Sequence, residues 1–488
     1  MNHSDTPLLS SVLNNDVPAL IGNQWCQRED RFDVTNPATH DVLARVAECS
    51  AGDTRAAIAA AELAGQSWKR VSAKERSAVL RCWFDLVTDH ADELARLMTL
   101  EQGKPLAEAR GEVGYGASFI EFFAEEAKRM TGETLPSPAA SKRLLVMREP
   151  VGVVAAITPW NFPLAMITRK CAPALAAGCT VVIKPAEATP LTALALARLA
   201  LQAGVPEGAI SVVTASSPAA VGEVLCTDPR VRKLSFTGST PVGKKLLAQC
   251  ASTVKKTSME LGGNAPFIVF DDADLDAAVE GAIASKFRNA GQTCVCTNRF
   301  LVQDNVYDAF VEKLTEKVRT LKVGNGLEDE VVIGPLINPA AVEKVQRHID
   351  DAIGKGATVT CGGQAPEAGH TFFNPTVLAG VTREMAVAGE ETFGPLAPVF
   401  RFSDIDEAIE MANDTPFGLA AYFYTNDYRR IWRTMEGLEY GMVGVNEGLI
   451  STELAPFGGM KESGLGREGS HFGLDEFTEL KYVCLGGF

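Results

Sequence analysis

The chain has 488 residues, of which 46% are hydrophobic, 22% charged and 7% aromatic, which excludes a disordered, collagen-like or coiled-coil protein. Its 46 basic and 61 acidic side chains give a net charge of −15, which disfavours nucleic-acid binding because phosphate backbones are also negative. At about 150 residues per domain, the length suggests about three structural units.

No segment has the features of a membrane span or an export signal. The long uncharged segment at residues 151–168 contains Pro159, Asn161 and Pro163, which a membrane helix tolerates poorly. The first 18 residues have no basic start and no apolar core, so we expect a cytoplasmic protein. The 11 cysteines show no spacing typical of a disulfide framework or a metal site, which predicts a reducing compartment and no bound metal.

The predicted elements change character along the chain. Residues 53–130 have the apolar spacing of helices, and a Pro/Ala/Ser linker follows at 136–140. Short apolar strands then alternate with Ala/Leu-rich helices, a pattern typical of a parallel sheet covered on both faces. A second cycle begins after Gly262-Gly263, so we predict two α/β domains joined near residue 262. The final strand-like segment, residues 480–487, has no local partner and is expected to pair with another segment or subunit.

Two glycine motifs resemble nucleotide-binding signatures. Residues 238–245, GSTPVGKK, nearly match a P-loop, but Lys245 stands where a Ser or Thr hydroxyl would hold magnesium. We interpret this motif as a helix start that binds phosphate, and we reject an NTPase. Residues 464–469, GLGREG, match GxGxxG but follow no predicted strand, so we interpret them as a glycine-rich turn.

Three motifs carry groups suited to covalent catalysis. Cys294 lies in GQTCVC after a helix-like segment, Glu260 ends a strand before Gly262-Gly263, and Asn161 lies in the proline-rigid loop TPWNFP. A thiol can attack a carbonyl carbon, an amide can donate to the resulting oxyanion, and a carboxylate can activate water. Taken singly, each also fits a structural interpretation as a buried thiol, a solvated strand end or a rigid loop.

Together the motifs resemble the NAD(P)-dependent aldehyde dehydrogenase superfamily over about residues 21–484. The resemblance rests on the order and spacing of TPWNFP, VIKPAE, FTGST, MELGGNAPFIVF, GQTCVCTN, EETFGP and APFGG. Within the superfamily, the segments ITRK, SKFRNAGQTCVC, YFYT, VNEGLIS, SGLGREGS and LKYVC are most similar to the succinate-semialdehyde dehydrogenase subfamily.

The resemblance implies an α/β fold with a Rossmann-like cofactor domain, a catalytic domain and a small β oligomerisation arm. It places the dinucleotide-binding domain at 1–130 and 150–262 and the catalytic domain at 263–445. It places the arm at 131–149 and 470–488, and it returns 446–469 to the cofactor domain. A homotetramer or homodimer is expected.

The resemblance also assigns the catalytic roles. Cys294 is expected to be the nucleophile that forms a thiohemiacetal and then a thioester. The Asn161 amide and the Cys294 backbone N–H are expected to hold the oxyanion, and Glu260 to activate the hydrolytic water. The cofactor contacts that it implies are Thr158, Trp160, Lys184, Glu187, Phe236, Gly238, Ser239, Glu391 and Phe393.

The expected cofactor is NAD, with NADP possible but less favoured, because the Glu187 carboxylate accepts from a ribose hydroxyl and repels a 2′-phosphate. At position 215, beside the expected adenine site, this chain has Ala where many relatives have Gly.

The substrate contacts implied are Arg169, Arg288 and Ser451, a clamp for the carboxylate of succinate semialdehyde. Glutarate semialdehyde and other short ω-carboxy aldehydes stay open, because one methylene changes binding by only about 1–3 kcal/mol. Cys296 is implied as a redox partner of Cys294.

Two other classes of function compete with this interpretation. A cysteine hydrolase would need a histidine beside Cys294, and no histidine lies in a known catalytic signature. The six histidines are His3, His40, His90, His348, His370 and His471. A non-catalytic binding protein would be expected to lack one of Cys294, Glu260 and Asn161, and all three are present.

Overall fold

A computed structural model of the chain describes residues 8–13, 16–366 and 371–488. Parts of the amino-terminal segment expected to lack a signal, together with His3 and His370, lie outside these residues. Within them, no helix is long and apolar enough to cross a membrane.

The helices follow the predicted spacing, and side-chain caps mark several of their starts. Ser50 and Asp53 form a reciprocal capping box at the first helix, and Ser72 and Glu75 form another at the second. The α-helices are α1 (Ala51–Trp68), α2 (Ala73–Asp89), α3 (Ala91–Gln102), α4 (Leu106–Glu126), α5 (Ala165–Ala177), α6 (Pro190–Gln202), α7 (Pro218–Thr227), α8 (Thr240–Cys250), α9 (Leu275–Phe287), α10 (Tyr307–Arg319), α11 (Pro339–Gly354), α12 (Ala386–Gly389), α13 (Ile405–Asn413), α14 (Tyr428–Gly437) and α15 (Ser470–Asp475).

The strands fall into two large sheets and several small ones. The first strands are β1 (Asp16–Val17), β2 (Ala19–Ile21), β3 (Gln24–Cys26), β4 (Arg31–Thr35), β5 (Val42–Ala47), β6 (Glu133–Leu135), β7 (Lys142–Pro150), β8 (Val153–Ile157), β9 (Thr180–Lys184), β10 (Ile210–Val212), β11 (Val231–Thr237) and β12 (Lys256–Glu260). The others are β13 (Ala265–Val269), β14 (Thr297–Gln303), β15 (Thr358–Cys361), β16 (Thr376–Val381), β17 (Leu396–Phe402), β18 (Phe417–Gly418), β19 (Ala420–Tyr424), β20 (Met442–Val445), β21 (Met460–Lys461), β22 (Gly464–Leu465) and β23 (Thr478–Gly486).

The first large sheet has the strand order β22-β12-β11-β8-β9-β10-β2-β3. The strands from β12 to β10 run parallel, and their buried apolar residues explain the uninterrupted hydrophobic runs in the sequence. The glycine motif at 464–469 does not start a βαβ unit, because Gly464–Leu465 pairs antiparallel with the end of β12.

The second large sheet has the order β15-β16-β17-β14-β13-β19-β20 and is parallel except at β15. The chain passes from the first sheet to the second between Glu260 and Ala265. Two parallel-sheet units packed with helices confirm the predicted α/β fold class.

The carboxy-terminal strand finds its partner in the same chain. β23 pairs antiparallel with β7 along its whole length, from Thr478 opposite Pro150 to Gly486 opposite Lys142, and β6 completes a three-stranded sheet. Leu480 and Tyr482 on β23 are exposed, so this sheet presents apolar side chains outward.

Candidate active site

A cavity of about 270 Å³ lies where loops from both large sheets meet. It forms beyond the carboxyl ends of β8, β11 and β12, the edge at which open parallel sheets bind ligands. The predicted site residues that line it are Trp160, Asn161, Arg169, Gly238, Ser239, Arg288, Cys294, Glu391, Phe393 and Ser451. The predicted site residues that do not line it are Thr158, Lys184, Glu187, Phe236, Glu260 and Cys296.

Cys294 follows a tight turn in which Asn289 and Ala290 both have left-handed backbone, with φ of 52° and 55°. Gly263 approaches so closely that a Cβ there would lie 2.6 Å from the Cys294 carbonyl oxygen, so only glycine fits. Burial raises the pKa of the Cys294 thiol to about 12, with Arg169 acting in the opposite direction. The thiol is therefore protonated at rest and needs a base before it can attack.

Glu260 ends β12 next to Leu261 and Gly262, which line the cavity. Its side chain is buried, and neither carboxyl oxygen has a hydrogen-bond partner among the described residues. Burial raises the pKa of Glu260 well above its usual range, and the nearby Glu468 carboxylate raises it further. Once ionised, a carboxyl group with a raised pKa holds a proton more strongly than an ordinary glutamate, which suits a general base.

Asn161 is held by hydrogen bonds at both its side-chain amide and its backbone carbonyl. Its side-chain Nδ2 donates to the Gln292 carbonyl at 3.0 Å, and its own carbonyl accepts from Lys104 Nζ at 2.8 Å and from Asn289 Nδ2 at 3.0 Å. One Nδ2 hydrogen is left for the cavity. Sequence reasoning missed Lys104, since a Lys-Pro pair before a helix carries no catalytic signal.

Arg169 and Glu468 form a buried ion pair beside the cavity. Arg169 Nη2 lies 2.8 Å from Glu468 Oε2, and the guanidinium carbon lies 3.9 Å from the centroid of the Phe457 ring. Lys170 pairs with the other Glu468 oxygen and donates to Thr237 Oγ1 at 2.7 Å. Burial opposes ionisation of Glu468, but Lys170 and Arg169 outweigh it and lower the pKa. Glu468 was not predicted, although it lies inside the motif interpreted as a turn.

Arg288 occupies a different electrostatic setting from Arg169. Among the described residues, no carboxylate oxygen lies within 4.0 Å of its guanidinium nitrogens. Its guanidinium carbon lies 5.6 Å from the centroid of the Phe162 ring. Arg288 and Ser451 therefore face the same cavity with their donors available to an acidic ligand.

Cys296 is fully buried behind the cavity wall. Its thiol donates to the Gly291 carbonyl at 3.2 Å, and Lys286 Nζ lies 3.8 Å from its sulfur. Burial raises the pKa of this thiol, while Lys286 acts to lower it. The predicted redox pair with Cys294 would therefore require the loop between the two residues to rearrange.

Several residues of the cavity lining suit a dinucleotide. Trp160 and Phe393 meet edge to face at 5.7 Å, and Glu391 accepts from the Gly263 backbone N–H at 3.0 Å. Gly238 and Ser239 precede α8, whose first turn has no side-chain cap, so its backbone N–H groups can bind a phosphate.

The remaining predicted cofactor residues cluster at the ends of β8, β9 and β11. Lys184 Nζ lies 3.2 Å from the half-exposed Glu187 carboxylate, and the Thr158 N–H donates to the Lys184 carbonyl at 3.1 Å. Phe236 packs under Gly238, where a Cβ would meet its ring at 2.5 Å. A ribose-accepting carboxylate and an uncapped helix start match the chemistry of a nicotinamide dinucleotide.

The histidine required by a cysteine hydrolase is missing from this cavity. Among the described residues, no histidine lines it. His348 is buried elsewhere, with its ring nitrogens 2.8 Å from Thr392 Oγ1 and 3.0 Å from Glu390 Oε2. The hydrolase interpretation has no proton acceptor of this type beside Cys294.

Comparisons with known proteins agree with this geometry. The sequence profile of the aldehyde dehydrogenase family matches residues 25–483. The chain is 61% identical to a succinate-semialdehyde dehydrogenase [NADP(+)] of Escherichia coli (strain K12), over 96% of this chain and 97% of that protein. It is 59% identical to a glutarate-semialdehyde dehydrogenase of Pseudomonas aeruginosa, with the same two coverages. The crystal structure of succinate-semialdehyde dehydrogenase from Burkholderia pseudomallei superposes with a TM-score of 0.96 at 59% identity and covers 100% of both chains.

Proposed function

Because the chain belongs to the aldehyde dehydrogenase family, we propose that it oxidises succinate semialdehyde to succinate with NAD and water. The observation that carries the proposal is one cavity lined by Cys294, Asn161 and Arg288, whose guanidinium has no ion-pair partner among the described residues. These groups match an aldehyde at one end of a short substrate and a carboxylate at the other.

The reaction begins at Cys294. Transfer of its proton to Glu260 leaves a thiolate, which attacks the aldehyde carbon and forms a thiohemiacetal. The free Asn161 Nδ2 hydrogen and the Cys294 backbone N–H stabilise the oxyanion. Trp160, Glu391 and Phe393 would hold the nicotinamide cofactor, which would supply the hydride acceptor when bound, and loss of the hydride would leave Cys294 as a thioester. Glu260 first releases the Cys294 proton to solvent and then takes a proton from water, which attacks the thioester. That proton passes to the departing Cys294 sulfur, which restores the thiol as the acid is released.

Specificity for a carboxylate comes from Arg288 and Ser451. The planar Arg288 guanidinium can bind both oxygens of a carboxylate, and Ser451 adds a hydroxyl donor. Arg169 contributes its remaining N–H groups, although its charge is offset by Glu468. Glutarate semialdehyde is the second candidate substrate, favoured by the similarity to the Pseudomonas aeruginosa protein.

The preference for NAD rests on Glu187. Its half-exposed carboxylate lies beside Lys184, can accept hydrogen bonds from ribose hydroxyls and would repel a 2′-phosphate. The name of the Escherichia coli relative includes NADP, so a cofactor comparison belongs in any test of this chain.

Domain roles and assembly complete the proposal. We assign 1–130, 150–262 and 446–469 to cofactor binding, 263–445 to catalysis, and 131–149 with 470–488 to an arm. The outward apolar side chains of β23 support pairing of this arm with other copies in a homodimer or homotetramer.

The deciding experiment is a kcat/KM panel of aldehydes with three to six carbons, with and without a terminal carboxylate, against both cofactors. We expect succinate semialdehyde with NAD to give the highest value. A preference for uncharged aldehydes would overturn the assigned substrate class. A higher value for glutarate semialdehyde would select the second candidate.

A further inference from the structure

The hydroxyl of Tyr115 is buried at the cavity wall without a partner. Tyr115 lies on α4, and its ring meets that of Phe119 edge to face at 5.0 Å. The hydroxyl oxygen has almost no exposed surface and makes no hydrogen bond to any described residue. The same side chain lines the cavity together with Arg169, Arg288 and Cys294.

A buried hydroxyl with no partner is a cost that the fold does not require here. Packing alone would be satisfied by phenylalanine, which this helix uses at Phe119, Phe122 and Phe123. The hydroxyl adds nothing to the apolar contacts of the ring, and leaving it unbonded is unfavourable because it loses its hydrogen bonds to water. A ligand that accepts a hydrogen bond would remove this cost.

The surroundings of the hydroxyl identify the kind of acceptor. Arg169 and Arg288 line the same cavity and act on Tyr115 more strongly than Cys294 or Glu468 does, so the two arginines are the strongest charged neighbours of the hydroxyl. Burial nevertheless raises the pKa of Tyr115, which keeps the phenol protonated and able to donate. An anionic oxygen drawn to the arginines is the acceptor that this site favours.

We propose that the Tyr115 hydroxyl donates a hydrogen bond to the carboxylate of the bound ω-carboxy aldehyde and helps the enzyme distinguish it from uncharged aldehydes. The proposal rests on the proposed function and adds one residue to its specificity. A carboxylate has about four lone-pair sites, so Arg288 and Tyr115 can bind it together. The hydroxyl also compensates for Arg169, whose charge is already offset by Glu468.

The test is Tyr115→Phe, assayed with succinate semialdehyde and with butyraldehyde, which has the same four carbons but no carboxylate. We expect kcat/KM for succinate semialdehyde to fall about 10- to 100-fold, the range for a hydrogen bond to a charged group. The value for butyraldehyde should stay within about twofold. The inhibition constant of succinate should rise by a factor similar to the loss in kcat/KM, and that of butyrate should not change.

Thermal stability separates this role from a structural one. Because the hydroxyl has no partner in the protein, Tyr115→Phe should keep or raise the melting temperature. The matched control is Tyr307→Phe on α10, whose hydroxyl donates to the Val399 carbonyl at 3.0 Å and accepts from the Gly380 N–H at 2.7 Å. That variant should lose stability and keep the substrate preference.

Two outcomes would overturn the inference. Equal losses on both aldehydes, or no loss on either, would show that the Tyr115 hydroxyl does not contact the carboxylate. A different result would remove the proposed function itself: a wild-type enzyme that does not prefer succinate semialdehyde to butyraldehyde. The wild-type assay therefore tests the proposed function, and the Tyr115→Phe assay separately tests the role of the hydroxyl.

Discussion

Lys104 donates a hydrogen bond of 2.8 Å to the backbone carbonyl of Asn161, 57 residues along the chain. The ammonium also pairs with the buried Glu112 carboxylate. Glu112 in turn accepts from the backbone N–H groups of Leu164 and Ala165, at 2.9 and 3.2 Å. One buried ion pair thus fixes both the loop that carries the oxyanion amide and the start of α5.

Replacing Lys104 by Met should therefore damage catalysis and stability together. The change leaves Glu112 buried and unpaired, which costs about 3–5 kcal/mol in unfolding free energy. The Asn161 loop should also lose its position, so kcat should fall while KM for the cofactor changes little. Denaturant unfolding and steady-state kinetics measure the two effects.

A double variant, Lys104→Met with Glu112→Gln, separates the effect on catalysis from the effect on stability. It removes both charges, so much of the lost stability should return. If kcat also returned to the wild-type value, Lys104 would be shown to act only on stability.

Glu260→Gln should convert steady turnover into a burst. The thioester should form more slowly than in the wild type, because Glu260 no longer accepts the Cys294 proton, and should release about one equivalent of NADH per site. Hydrolysis should then stall, because no group takes the proton from water. Rapid-mixing absorbance of NADH measures the burst. Cys294→Ala is the control and should give neither burst nor turnover, with cofactor binding intact. Undiminished steady turnover in Glu260→Gln would remove the general-base role.

The pH profile follows from the same carboxyl group. Burial raises the pKa of Glu260, so the protonated form persists to higher pH than for an ordinary glutamate. A general base works only when deprotonated, so kcat should rise as pH increases through this raised pKa. A profile of kcat from pH 6 to 10 should show a limb that rises and then levels off in the wild type. The Glu260→Gln burst rate should instead keep rising over this range with the thiolate fraction of Cys294.

The sequence predicted the fold class and most of the cavity, because motifs such as TPWNFP and GQTCVC place single residues at strand ends and turns. It could not predict the partners of those residues. Glu468 lies 299 positions from Arg169, and nothing in GLGREG indicates an ion pair. The partner of β23 was also open, since an isolated strand can pair within its chain or with another.

Arg288 and Arg169 should respond differently to truncation. Arg288→Ala should cost about 2–5 kcal/mol in kcat/KM for succinate semialdehyde and far less for butyraldehyde. Arg169→Ala should also impair butyraldehyde oxidation and lower the melting temperature, because it leaves Glu468 with Lys170 as its remaining direct ion-pair partner. A loss for Arg288→Ala that is equal on both substrates would make that arginine structural.

Glu187→Ser should raise activity with NADP relative to NAD. The substitution removes the carboxylate that repels a 2′-phosphate and frees Lys184, now 3.2 Å from Glu187, to pair with that phosphate. The ratio of kcat/KM values for the two cofactors measures the change. A wild type that already prefers NADP would contradict the role given to Glu187.

Cys296 should protect Cys294 from irreversible oxidation. Peroxide converts the Cys294 thiol to a sulfenic acid and water, and attack by Cys296 then forms a disulfide and a second water. Because Cys296 is buried and bonded to the Gly291 carbonyl, the loop must open first, so the disulfide should form slowly and be readily reduced. Activity lost to mild peroxide should return with dithiothreitol in the wild type. In Cys296→Ala the Cys294 sulfenic acid has no second thiol with which to form a disulfide and proceeds to irreversible acids. Recovery of activity with dithiothreitol should therefore fall. Recovery equal to that of the wild type would show that Cys296 does not form this disulfide.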